Sequence, residues 1–123
     1  MKILIVDDSK TMRMIIGRTL KELGHETREA GNGREAITAL KAETGWGLVM
    51  ADWNMPEMNG LEMVIAVKAE EVFKPLPIMM VTTETELSNV QKAMDAGAAG
   101  FIMKPFKKEA IQEKIATLTA VQA

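Results

Sequence analysis

A doubly wound α/β fold on a five-stranded parallel sheet is what this sequence predicts, and three observations predict it. Four apolar runs, Ile3-Leu4-Ile5-Val6, Leu48-Val49-Met50-Ala51, Pro77-Ile78-Met79-Met80-Val81 and Phe101-Ile102-Met103, are continuous and not alternating, as in strands covered on both faces. Segments with helical spacing separate them, so strands and helices alternate strictly. Each run ends on polar residues that a core cannot use: Asp7-Asp8, Asp52, Thr82-Thr83 and Lys104-Pro105. In an open parallel sheet, ligands bind in the crevice beyond the carboxyl ends of the strands. Folding therefore gathers three carboxylates, a hydroxyl and an ammonium at one edge.

Each element has its own signal. Ser9 to Leu23 carries Met12, Ile15, Ile16, Leu20 and Leu23 at helical spacing, with Ser9 as N-cap and Gly24 as the C′ residue. His25 to Ala30 is a short, more polar strand, nearer an edge. Gly31-Asn32-Gly33 is a turn, and Arg34 to Lys41 a helix with Ala36, Ile37 and Leu40 inward. The strand Gly47 to Ala51 leads into a loop, Trp53 to Asn59, and a helix over Gly60 to Glu71. Pro75 and Pro77 break that helix before the strand Ile78 to Val81. Glu84 to Asp95 is the next helix and Gly97 to Gly100 a tight connection. Phe101 to Met103 is the last strand, and Lys107 to Leu118 an amphipathic helix with Ile111, Ile115 and Leu118 on one face. Alternation of this kind implies right-handed crossovers.

Composition sets limits. A chain of 123 residues fits one domain spanning 1–123 and is long enough to bury its own core. With 15 basic and 17 acidic residues the formal charge is −2, which gives no electrostatic footprint for nucleic acid. There is no cysteine, so disulfides and thiolate metal sites are excluded, in keeping with a cytoplasmic protein. No segment approaches the roughly 18 to 20 apolar residues of a spanning helix, and the apolar start is too short for a signal peptide, so membrane insertion is not expected. The eleven methionines read as gap-filling core or surface residues.

The polar residues at the strand ends each have a bland alternative. Asp7-Asp8 could favour a helix N-terminus, Asp52 could sit in a turn with Asn54, Pro56 and Gly60, and Thr82 could cap the next helix. Lys104 could be a solvated loop lysine. All of them nevertheless fall at one edge of one sheet. Three carboxylates against one lysine repel each other without a cation, and an oxygen-only set suits magnesium, which keeps waters and shares its shell with phosphate. A carboxylate can itself be the nucleophile, forming an aspartyl-phosphate. Magnesium and Lys104 would neutralise the phosphoryl oxygens, and Thr82 would donate a hydroxyl to one of them.

The runs Ile5-Val6-Asp7-Asp8-Ser9, Asp52-Trp53-Asn54-Met55-Pro56, Val81-Thr82 and Lys104-Pro105-Phe106 resemble the receiver domain of bacterial two-component response regulators, over the whole chain. The resemblance implies a flavodoxin-like (βα)5 sheet in the order 2-1-3-4-5. It implies that Asp52 accepts phosphate from a histidine kinase. Asp8, Asp52 and the backbone carbonyl of Asn54 would hold magnesium, with Asp7 acting through water. Thr82 and Lys104 would contact the phosphoryl oxygens, and a cis Lys104–Pro105 bond is expected. Asn54 and Glu84, each two positions past a site residue, would border the path of an attacking water and tune the lifetime of the phosphorylated state.

Two other classes compete. Phosphatases of the haloacid-dehalogenase type place a second aspartate two residues after the nucleophile as general acid and base; here that residue is Asn54, which cannot exchange a proton near neutral pH. A nucleotide or flavin binder on the same fold would need a strand leading into a Gly-rich phosphate loop, and Gly31-Asn32-Gly33 lacks that context. The expectation is a switch that catalyses only its own phosphorylation and dephosphorylation. Asp52 to Pro56, Val81 to Glu84 and Glu113-Lys114 are close to the stand-alone chemotaxis regulators. That similarity implies a monomer phosphorylated by a chemotaxis-type histidine kinase and docking to the flagellar motor switch, with a phosphatase as a further partner. Phe101 stands where many relatives carry tyrosine and would follow Thr82 inward, while Val90, Met103 and Lys114 would share the docking surface. A stand-alone relay or phosphate sink is the alternative output.

Overall fold

The computed structural model describes residues 1–53, 58–83, 87–104 and 106–120, with only the backbone of Leu87, Ser88, Thr119 and Ala120. In chain order the elements are β1 (Lys2–Val6), α1 (Lys10–Glu22), β2 (Glu26–Ala30), α2 (Gly33–Ala42), β3 (Trp46–Asp52), α3 (Gly60–Lys68), a short 3-10 turn (Glu71–Phe73), β4 (Ile78–Thr82), α4 (Leu87–Ala96), β5 (Gly100–Met103) and α5 (Lys108–Ala120). The strands are parallel and lie in the order β2-β1-β3-β4-β5. This is the flavodoxin-like arrangement, and the polar strand β2 lies at an edge.

Because side chains alternate across a strand, each central strand feeds two cores. Ile3, Ile5, Leu48, Met50, Met79, Val81 and Ile102 pack with Ile16, Leu20, Ile111 and Ile115 from α1 and α5. Leu4, Val6, Val49, Ala51, Ile78 and Met80 pack on the other face with Ala36, Leu40, Met63, Val64, Val67 and Ala93 from α2, α3 and α4. This double coverage is why the runs read as continuous hydrophobic text.

Local chemistry sets most element ends. The Ser9 side chain accepts from the Met12 amide at 3.2 Å. At the other end of α1, Gly24 (φ 91°) lets His25 N–H reach the Leu20 carbonyl at 3.0 Å and Gly24 N–H the Lys21 carbonyl at 3.0 Å, a Schellman motif. Gly97 (φ 121°) closes α4 in the same way, with Ala98 N–H on the Ala93 carbonyl at 3.0 Å. Asn32 and Asn59, inside segments expected to be a turn and a loop, are N-caps. Asn59 forms a capping box with Glu62, its amide donating to Oε1 at 3.0 Å and its Oδ1 accepting from the Glu62 amide at 2.9 Å.

Two expectations need correction. Ile15 shares the helical spacing of α1 but is 53% exposed; the inner stripe is centred on Ile16, Gly17 and Leu20, and Gly17 lies against Ile5. The third helix stops at Lys68 instead of Glu71. There the Lys68 ammonium, half-buried, donates to the carbonyls of Phe73, Lys74 and Leu76, so the side chain ties down the turn that carries the chain into β4. Burial pushes the Lys68 pKa below the usual lysine value.

Candidate functional site

Parity along the strands explains which polar groups meet. Asp7 continues the alternation of Ile3 and Ile5, Asp52 that of Leu48 and Met50, and Lys104 that of Ile102, so all belong to the α1/α5 side at the carboxyl edge. Asp7 sits just past β1, its amide donating to the Ala30 carbonyl at 3.1 Å and so extending the ladder to β2. Its Oδ1 accepts from the Ser9 amide at 2.8 Å. The Lys104 ammonium stands 3.5 Å from Asp7 Oδ2 and 3.6 Å from Asp52 Oδ1. Lys104 is itself fixed by its amide, which donates to the Thr82 carbonyl at 2.7 Å and prolongs the pairing of β4 with β5.

Carboxylate oxygens of Asp7, Asp8 and Asp52 lie within 4.8 Å of one another, with Asp7 and Asp52 buried and Asp8 exposed. Three carboxylates this close repel strongly in a partly buried setting. Asp7 Oδ2 is buried and makes no hydrogen bond; at 3.5 Å the Lys104 ammonium offers it charge but not a bond. An orphaned buried acceptor in an all-oxygen cluster of excess negative charge fits a hydrated hard cation such as magnesium. Asn54, expected to add a carbonyl ligand, Glu84 and the Lys104–Pro105 bond lie outside the described residues.

Thr82 is buried at the last position of β4. By parity it continues Ile78 and Met80 and so faces the α3/α4 side. Its hydroxyl donates to the Thr83 carbonyl at 3.3 Å. Phe101 pairs with Met80 in register and packs, half-buried, on the same side, with the Lys114 ammonium 5.7 Å from its ring centre. Thr82 and Phe101 therefore share one face, opposite to that of Asp7, Asp52 and Lys104. Val90 is half-buried and Met103 is 37% exposed. Beside Lys104, a cavity of about 450 Å³ is lined by Met12, Ile15, Thr83, Lys104 and Phe106.

Comparison with known proteins follows the same lines. A family model described as the response regulator receiver domain matches residues 3–116. The chain belongs to this receiver family. The receiver is 47% identical over 116 residues to chemotaxis protein CheY1 of Helicobacter pylori, covering 94% of each chain. It is equally 47% identical over 116 residues to a chemotaxis protein CheY homologue of Campylobacter jejuni, covering 94% of this chain and 89% of that one. Among solved structures, chemotaxis response regulator CheY4 of Vibrio cholerae matches with a TM-score of 0.87 at 36% identity, over 95% of this chain and 97% of that one.

Gly60, where the third helix is expected to begin, also sets how closely that helix approaches Asp52. A side chain at Gly60 would place its Cβ 2.9 Å from the Asp52 carbonyl oxygen and 2.6 Å from Met80 Cε. The missing side chain lets α3 begin directly against the end of β3, where the Gly60 amide donates to the Trp53 carbonyl at 2.9 Å. The sequence signal was Asn59-Gly60, a cap followed by a residue that admits close backbone approach.

Proposed function

We propose that this receiver accepts a phosphoryl group on Asp52, with magnesium, from a histidine kinase, and signals by docking to a partner, the flagellar motor switch. The observation that carries the reading is the meeting of the Asp52 carboxylate with Lys104 at 3.6 Å and with the Asp7 and Asp8 oxygens inside 4.8 Å. The similarity to chemotaxis proteins supports the choice of output. We take the chain to act as one cytoplasmic, monomeric domain that catalyses only reactions of its own phosphoryl group. No described helix is long and apolar enough to cross a membrane.

Asp8 and Asp52 would hold the metal through carboxylate oxygens, with the Asn54 backbone carbonyl, and Asp7 would act through water. Bound magnesium would supply positive charge to the phosphoryl oxygens. An Asp52 oxygen forms the new bond to phosphorus as the bond from phosphorus to the donor histidine nitrogen breaks, and the departing imidazole takes up a proton. Lys104, held between Asp7 and Asp52, moves its ammonium by a small rotation to a phosphoryl oxygen, where developing charge is stabilised. Thr82 must leave the Thr83 carbonyl to donate to another oxygen. That exchange of partner is what couples the site to the face shared with Phe101, where Val90, Met103 and Lys114 complete the docking surface. Asn54 and Glu84 set how readily water removes the group.

The test is capture of partners by protein locked with a beryllium-fluoride mimic of the phosphoryl group, against untreated protein. Recovery of a motor switch component by the locked form alone supports the reading. Recovery of only a histidine phosphotransfer protein or kinase replaces it with a relay or phosphate sink.

A further inference from the structure

We propose that Arg13 is a positioning residue for the acidic cluster, fixing the Asp7–Asp8 peptide so that both carboxylates face the metal; this rests on the reading of that site as a magnesium-assisted phosphoryl acceptor. Arg13 lies in the first turn and a half of α1, with its amide on the Ser9 carbonyl at 3.0 Å. Its guanidinium reaches back to the end of β1, where Nη1 donates to the Asp7 carbonyl at 2.6 Å. Nε donates to Glu29 Oε1 at 3.0 Å, which anchors the fork to β2. The Arg13 side chain is only 17% exposed.

With this contact the polar atoms of Asp7 are committed except one. The amide is held by Ala30, the carbonyl by Arg13 and Oδ1 by Ser9, leaving Oδ2 buried, without a hydrogen bond and turned toward Lys104. The peptide group is planar, so holding the Asp7 carbonyl also sets the direction in which the chain leaves toward Asp8. Asp8 is exposed, and its carboxylate lies in the cluster. Two N–H groups at fixed angles suit a carbonyl on one strand and a carboxylate on the next, which the point charge of a lysine cannot reproduce. Groups that orient metal ligands in this way typically change metal affinity by about 10- to 100-fold when lost.

The sign of the effect separates positioning from simple charge. Arg13→Met removes a positive charge near a cation site, so electrostatics alone would tighten magnesium binding. Positioning predicts the reverse, a dissociation constant raised about tenfold. The measurement is magnesium titration of folded protein by Trp53 fluorescence, for wild type, Arg13→Met and Arg13→Lys, with denaturation midpoints of the metal-free proteins alongside. Arg13→Lys keeps the charge and loses the fork, so it should also bind magnesium more weakly, and it decides the matter if Arg13→Met does not fold. Labelling by acetyl phosphate should recover toward the wild-type rate at saturating magnesium. A lowered metal-free midpoint with unchanged or tighter magnesium binding would show that Arg13 only braces the fold, and overturns the proposal. If the wild type itself does not bind magnesium, the reading of the site fails and the proposal with it.

Discussion

Asp52 and an asparagine in its place have nearly the same shape, so Asp52→Asn isolates the carboxylate as nucleophile. It should abolish base-labile labelling by acetyl phosphate, read by intact mass, while circular dichroism stays unchanged. A main label that survives on another residue would remove Asp52 from its proposed role. Gly60 makes a different kind of contribution, because what matters is an absent atom. Its would-be Cβ meets the Asp52 backbone oxygen at 2.9 Å, which cannot rotate away as the Met80 methyl can. Gly60→Ala should cost about 1 to 3 kcal/mol through overpacking. A denaturant midpoint equal to wild type would show that α3 shifts without penalty.

Elements are joined at the amino edge of the sheet by charges that have no part in the proposed chemistry. The Glu43 carboxylate, just past α2, meets Lys2 of β1 at 3.0 Å and Arg28 of β2 at 3.1 Å. The hydrogen bond from Lys2, then that from Arg28, hold its pKa below the usual glutamate value. A carboxyl whose folded pKa is lowered binds fewer protons folded than unfolded. Its stabilisation is therefore complete above the unfolded value and lost as pH falls through the folded one. Glu43→Gln should flatten the loss of stability below about pH 5, measured as midpoint against pH. Identical acid slopes for the two proteins would show that this bridge is fully screened. Beside it, Trp46 donates its indole N–H to the carbonyls of Leu40 at 3.3 Å and Glu43 at 3.1 Å. A strand residue thus satisfies carbonyls at the end of α2.

For the whole molecule, the acidic cluster sets stability against function. Any ligand that binds the folded state alone raises stability, by about 1.4 kcal/mol at ten times its dissociation constant. Magnesium should therefore raise the denaturation midpoint, and Asp8→Asn should raise the metal-free midpoint while shrinking the magnesium increment. An unchanged wild-type midpoint in magnesium would refute the ligand set. Output by a population shift would need contacts that differ between the two states. Thr82 offers such a contact, since its hydroxyl now donates to the Thr83 carbonyl. Thr82→Ala should still be phosphorylated yet lose most of the gain in partner affinity on beryllium-fluoride treatment. A full gain in that variant would mean that the signal leaves the site by another route.

The sequence by itself determined the alternation of strands and helices, the edge position of β2, and the meeting of Asp7, Asp8, Asp52 and Lys104. These follow from period-two burial and from capping chemistry that acts within a few residues, as Ser9 and Gly24 illustrate. Asn32 and Asn59 were legible only as turn residues, because a cap and a turn use the same side chains. Tertiary structure alone decided that Ile15 stays exposed and that α3 ends at Lys68. It also brought Arg13 onto the Asp7 carbonyl and Gly60 against Asp52. Those facts depend on which strands become neighbours and in what register, and such distances between remote segments are not encoded in any local run of residues.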